Sequence, residues 1–152
     1  MNFDAAVFSG LQCSEFGAII RNTNGEVMVG MSAKGPYVHS SEEAEVMVCQ
    51  RVIEFSKDAG FSRLIIEGDS LNVMRALSHP AENKSLLGHI YDDIKCNLRG
   101  MQVLSFSRVK RCGNMTAHSL AKHARNLLDG TYWIEDTPLP LADALYSLHI
   151  NK

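Results

Sequence analysis

The 152-residue chain is short of aromatics and of basic charge. One Trp, four Tyr and six Phe make up 7% of it, and there is no aromatic RNP-type run and no Arg-Gly tract, so a general RNA-binding module has no positive signature here. Lys+Arg number 15 against 17 Asp+Glu, a formal net charge of -2, which counts against strong nonspecific nucleic-acid binding through a broad basic face. Cys13, Cys49, Cys96 and Cys112 form no Cys-x-x-Cys pair. That spacing argues against a structural zinc site and leaves small apolar residues or idle thiols of a reducing compartment. No apolar run approaches the roughly 20 residues of a membrane span. The start, MNFDAAVF, lacks the basic residues and long apolar stretch of a secretory signal. An intracellular protein is expected, with nucleus and cytoplasm both open.

What is present suits one ordinary globular domain, at 45% hydrophobic and 21% charged residues. Residues 2–8 alternate, with Phe3, Ala5 and Val7 on one face and Asp4, Ala6 and Phe8 on the other, which is strand periodicity. FGAIIRN and VMVGMSA flank the turn signal Asn24-Gly25 and predict a hairpin. Ser40 and Ser41 then offer N-caps to a helix whose apolar face carries Ala44, Met47, Val48, Val52 and Phe55, stopped at Gly60. RLIIEGDS reads as a strand covered on both faces, followed by a helix from about Ser70 to before Pro80. Leu87, Ile90, Ile94 and Leu98 mark another helix, and MQVLSFSRV another strand. Asn114 is placed to cap a last helix with the stripe Ala117, Leu120, Ala121, Ala124 and Leu128. Strands alternating with helices after residue 40 predict an α/β sheet with parallel pairing. Trp133, Pro138 and Pro140 fall in a tail, with Trp133 either covering the core or meeting a partner.

Three carboxylates sit awkwardly for purely structural roles. Asp4 lies inside a strand, where aspartate is depleted. Glu45 adjoins Ala44 on the apolar stripe, and Asp69 follows a strand at the carboxyl end, where α/β sheets place ligands. If they converge, mutual repulsion raises their proton affinities, and divalent cations resolve the conflict. Two metals about 4 Å apart activate water and stabilise the leaving oxygen of a phosphodiester. Each residue also has a plain reading: Asp69 and Glu45 as acids in a first helical turn, Asp4 as an exposed edge residue. Arg108, Lys110 and Arg111 form the best local basic cluster for phosphate contact, and a solvated loop explains them equally.

The motifs carry a resemblance. NFDAA resembles N-x-D-G-A, SSEEAEVMV a helix motif containing A-E, and IIEGDS the motif E-S-D-S. RVKRCGNMTAHSLAKHA resembles H-V-x-R-x-x-N-x-x-A-D-x-L-A-K. In this order they are similar to the RNase H-like domain of plant proteins and of retroelement reverse transcriptases, over residues 1–128, with 129–152 as a C-terminal tail packing on the same domain. The resemblance implies an RNase H-like α/β fold with a five-stranded mixed sheet and helices on both faces. It also implies Mg²⁺-dependent hydrolysis of the RNA strand of an RNA–DNA hybrid, leaving a 3′-hydroxyl and a 5′-phosphate. Asp4, Glu45 and Asp69 would then be metal ligands, with Glu43 the neighbour that a slipped alignment would choose. An order of Asp, then Glu on the first helix, then Asp suits RNase H better than transposase-type sites, whose glutamate comes last.

Two positions depart from the motif. His118 replaces the fourth acid, removing a negative charge and offering one nitrogen where a carboxylate offers two oxygens. As a catalytic-site ligand it would weaken a second Mg²⁺ and favour Mn²⁺; a packing or surface histidine is the other reading. Arg108 replaces a histidine and cannot act as a base, though it suits a phosphate. Asn114 matches the motif's asparagine, so hybrid contact is implied for it along with Arg108, Lys110 and Arg111. The leading expectation is a hybrid-cleaving endonuclease. The alternative is a domesticated, catalytically weak or inactive module that binds nucleic acid or a protein partner.

Overall fold

The computed structural model describes residues 1–7, 10 and 12–134. Phe8 and the tail residues Pro138, Pro140 and His149 lie outside the described residues. The chain runs β1 (Asn2–Val7), β2 (Ser14–Arg21), β3 (Val27–Gly35), α1 (Ser41–Asp58), β4 (Arg63–Gly68), α2 (Leu71–Ser78), α3 (Gly88–Asn97), β5 (Gln102–Arg108), α4 (Met115–His123) and β6 (Thr131–Ile134). The sheet order is β5-β4-β1-β2-β3-β6. β1, β2, β3 and β6 pair antiparallel, while β4 runs parallel to β1 and β5 parallel to β4. Among the described residues no helix is long and apolar enough to cross a membrane.

Local chemistry explains the elements. Gly25, at φ 83°, supplies the left-handed turn that closes the β2–β3 hairpin. Ser40 caps α1 by accepting from the Glu43 N–H at 3.0 Å, and Glu43 Oε2 accepts in turn from the His39 N–H at 2.6 Å. Strand alternation then divides two cores. Phe3, Phe16 and Ile20 join Val48, Val52, Val73, Ile90 and Tyr91 under α1, α2 and α3. On the opposite face Ile19 packs with Leu120 of α4, and Val27 and Trp133 close over them. Trp133 therefore covers a core.

Four expectations need correction. A sixth strand, β6, extends the expected five by pairing with β3. Leu128 is not on the last helix's stripe: α4 ends at His123 and Leu128 is exposed. Asn114 makes no side-chain cap to α4; a 3-10 turn, Arg111–Asn114, leads into that helix. β4 is not covered on both faces: Leu64 and Ile66 are buried, but Ile65 between them is exposed.

Two features of the sheet prepare the site. β4 pairs with β1 only at Asn2–Glu67, and the strands have separated by the time β1 reaches Asp4. This opens a crevice at the carboxyl ends of two parallel strands. Gly17, opposite Asp4 in the ladder, lets α4 lie directly on the sheet. A Cβ there would stand 2.1 Å from the Ala117 carbonyl oxygen and 2.2 Å from the Ala121 nitrogen. Only glycine permits that approach, and it brings the first turns of α4 over Asp4.

Candidate metal centre

Asp4, Glu45 and Asp69 each offer a carboxylate oxygen, and these oxygens lie within 4.8 Å of one another. β1 supplies Asp4, α1 supplies Glu45 from the other face of the sheet, and Asp69 stands in the turn between β4 and α2. Glu45 reaches through the crevice: its Oε1 accepts from the Ala5 N–H at 3.0 Å, a backbone donor left free where β1 and β4 diverge. Its Oε2 is buried without a partner. All three line a cavity of about 350 Å³, together with Glu42, Ser70 and Arg111. A larger groove of about 460 Å³ between α2 and β5 has an apolar floor and no carboxylate.

The electrostatics are adverse to three ionised acids. Burial, with the Asp4 charge next in importance, pushes the Glu45 carboxyl up to about 9. Burial likewise raises Asp4, against the opposing hydrogen bond from His118. Concentrated negative charge with an unpartnered buried oxygen is what a bound cation would relieve, and a set of carboxylate oxygens is the donor chemistry that hard divalent ions prefer. The residues present therefore fit such an ion.

His118 enters differently from expectation. Its Nδ1 lies 2.6 Å from Asp4 Oδ2, so one ring nitrogen is taken up by the carboxylate, and the ligand-distance group comprises the three acids alone. With Asp4 ionised, Nδ1 is the donor, and His118 orients Asp4.

The profile of the family described as "Reverse transcriptase-like" matches residues 2–124. The chain belongs to the reverse transcriptase-like family. Among curated proteins no sequence match is found. Solved structures give the same fold at low identity. The RNase H1 of the halophilic archaeon Halobacterium salinarum is 21% identical, with a TM-score of 0.74 over 82% of this chain and 95% of that one. The N-terminal RNase H domain of a Mycobacterium tuberculosis protein is 16% identical, with a TM-score of 0.71 over 95% and 94%. LC11-RNase H1, of compost metagenomic origin, is similar in its complex with an RNA/DNA hybrid: 15% identity and a TM-score of 0.68 over 81% and 93%. The fold is RNase H-like.

In this reverse transcriptase-like domain the remaining expected contacts separate. Arg111 is exposed and lines the carboxylate cavity, so it can meet an anion there. Lys110 is exposed beside it. Arg108 is exposed too, but its Nε donates to the Asp69 carbonyl at 3.2 Å and so braces the turn that carries Asp69. Asn114 is buried, and its Nδ2 donates to the Phe3 carbonyl at 2.8 Å, tying the start of α4 to β1 beside Asp4. Glu43 is occupied by the α1 cap and does not line the cavity, so of the two it is Glu45 that stands with Asp4 and Asp69. Glu42 was passed over, although its spacing of three from Glu45 puts both on one helix face. Glu15 was also missed. It is fully buried on β2 and paired with Arg125 at 3.2 Å, away from the carboxylate cavity.

Proposed function

We propose that the chain is a divalent-cation-dependent endonuclease that hydrolyses the RNA strand of RNA–DNA hybrids, leaving a 3′-hydroxyl and a 5′-phosphate. The observation that carries this reading is the convergence of Asp4, Glu45 and Asp69, with Glu45 Oε2 buried and unpartnered, in one open cavity. A fold shared with a protein solved on an RNA/DNA hybrid supports the choice of substrate. Asp4, Glu45 and Asp69 would hold the cation, Mg²⁺ or, given an imidazole next to Asp4, Mn²⁺. Bound there, it supplies a Lewis acid for the phosphodiester and lowers the proton affinity of water.

The chain's own groups do the positioning. His118 fixes the rotamer of Asp4, the Ala5 N–H fixes Glu45, and Arg108 holds the backbone that carries Asp69. Arg111 offers a guanidinium for a substrate phosphate at the cavity edge, with Lys110 next to it in the chain. Recognition through phosphates and 2′-hydroxyls suits a protein with so little basic surface, since it reads duplex shape and sugar identity. A plant, retroelement-derived lineage and residence in the nucleus or cytoplasm, where hybrids arise, belong to the same proposal.

A second reading, a catalytically inactive module that binds nucleic acid or a protein, is favoured by His118 in place of the fourth acid. Cleavage of an end-labelled hybrid with Mg²⁺ or Mn²⁺ separates the two. Wild type is expected to cut only the RNA strand, and Asp69→Asn to lose at least 100-fold, in line with removal of a metal ligand. Equal, faint cutting by both proteins would assign the activity to a contaminant and leave the binding module.

A further inference from the structure

The cavity has one carboxylate fewer than the motif supplies. Asp4, Glu45 and Asp69 are three, and the residue at the motif's fourth acidic position is His118, which contributes no charge when neutral. Another carboxylate lines the same cavity. Glu42 stands one helical turn before Glu45 on α1, on the side of the helix that faces Asp4 and Asp69. It is also held. Tyr91 of α3, fully buried, donates its hydroxyl to Glu42 Oε1 at 3.0 Å. A surface glutamate in a first helical turn ordinarily samples several rotamers. Here one oxygen is tied to the interior of the protein, so the charge stays at the cavity wall. Glu45, only 7% exposed, lines that same cavity with its Oε2 buried and unpartnered, an oxygen that a bound cation would satisfy.

We propose that Glu42 is a fourth carboxylate of the cation centre, held in position by Tyr91, and that it supplies the charge lacking at residue 118. This rests on reading the cavity as a divalent-cation site. Glu42 is not within ligand distance of all three acids, so it acts at the rim of the centre, through space or through water carried by the ion. Tyr91 is a positioning residue: it touches only Glu42 among the cavity's acids. The position on α4 that carries no acid is thus matched by a carboxylate on α1, from the other face of the sheet.

Titration calorimetry of the full chain with Mg²⁺ and with Mn²⁺, in the absence of nucleic acid, tests this without any appeal to activity. Glu42→Gln is expected to weaken binding roughly tenfold, as loss of one nearby ligand-shell charge does, while the metal-free Tm stays the same or rises as repulsion falls. Tyr91→Phe should weaken binding by less, and in the same direction. Adding His118→Asp to Glu42→Gln should restore the lost affinity, because charge is returned to the same cavity. Wild-type affinity in Glu42→Gln, with binding lost in Asp69→Asn, overturns the proposal and leaves the cation centre standing. Wild-type affinity in Asp69→Asn as well removes the centre and the proposal together. A loss in Tyr91→Phe with none in Glu42→Gln, or a fall in metal-free Tm that parallels the affinity loss, makes the role structural and also overturns it.

Discussion

At the scale of single residues, Glu45 shows what burying a carboxyl beside two others does to its proton affinity. Its carboxyl titrates near 4.5 when unfolded and about 9 in the folded chain, chiefly because it is buried. Between those values the native state holds a proton that the unfolded chain has released. The stabilisation is therefore complete below the lower value and is lost as pH rises through the upper one. Asp4, raised for the same reason, adds in the same direction. The Tm of the metal-free protein should fall by several degrees between pH 5 and pH 9, since a domain of this size moves roughly 2–4 °C per kcal/mol. Glu45→Gln should flatten that slope, and saturating Mg²⁺ should do the same in the wild type. An identical slope in Glu45→Gln, followed by circular dichroism, would contradict this account of the carboxyl. His118 carries the opposite lesson. Its position could be read from the motif, but its partner could not, because the hydrogen bond to Asp4 spans 114 residues of sequence.

At the scale of elements, the site depends on how closely α4 lies on the sheet. Gly17 sets that distance, and with it the reach of His118 to Asp4. Gly17→Ala puts a methyl group against the backbone at Ala117 and Ala121, where nothing flexible can give way. The expected cost is about 1–3 kcal/mol, typical of overpacking. Urea denaturation measures that cost, and loss of the His118–Asp4 contact in imidazole NMR reports the displacement. A Gly17→Ala protein as stable as wild type would mean that α4 is not held at this distance. Elements specified by local chemistry were legible beforehand: the Asn24-Gly25 hairpin, the Ser40 cap of α1, and β4 as a strand, though not the exposure of Ile65 on its outer face. Those decided by distant partners were not. Asn114 had the residue type and position of an N-cap, yet the Phe3 carbonyl, 111 residues away, claims its side chain. β6 is four residues long and exists through its pairing with β3, so no periodicity could announce it.

At the scale of the whole molecule, a protein of net charge -2 gathers buried and half-buried carboxylates at one end of a parallel strand pair. Nothing in hydrophobic periodicity brings the middle of β1, the second turn of α1 and the end of β4 to one point. Only the ordered motifs did so, and they selected Asp4, Glu45 and Asp69. The basic contacts were harder to read, because a cluster in sequence need not be one in space. Arg111 reaches the cavity edge, Arg108 is bonded to the Asp69 backbone, and Asn114 is inside the protein. At a net charge of -2, the proposed hybrid binding would draw on a cation held in the cavity, which would invert its local charge. The most direct test of the account is anomalous diffraction from crystals grown with Mn²⁺. It should show a strong peak among the carboxylates of Asp4, Glu45 and Asp69, absent in Asp69→Asn. A map with no peak there, at Mn²⁺ levels that saturate binding in solution, would contradict it.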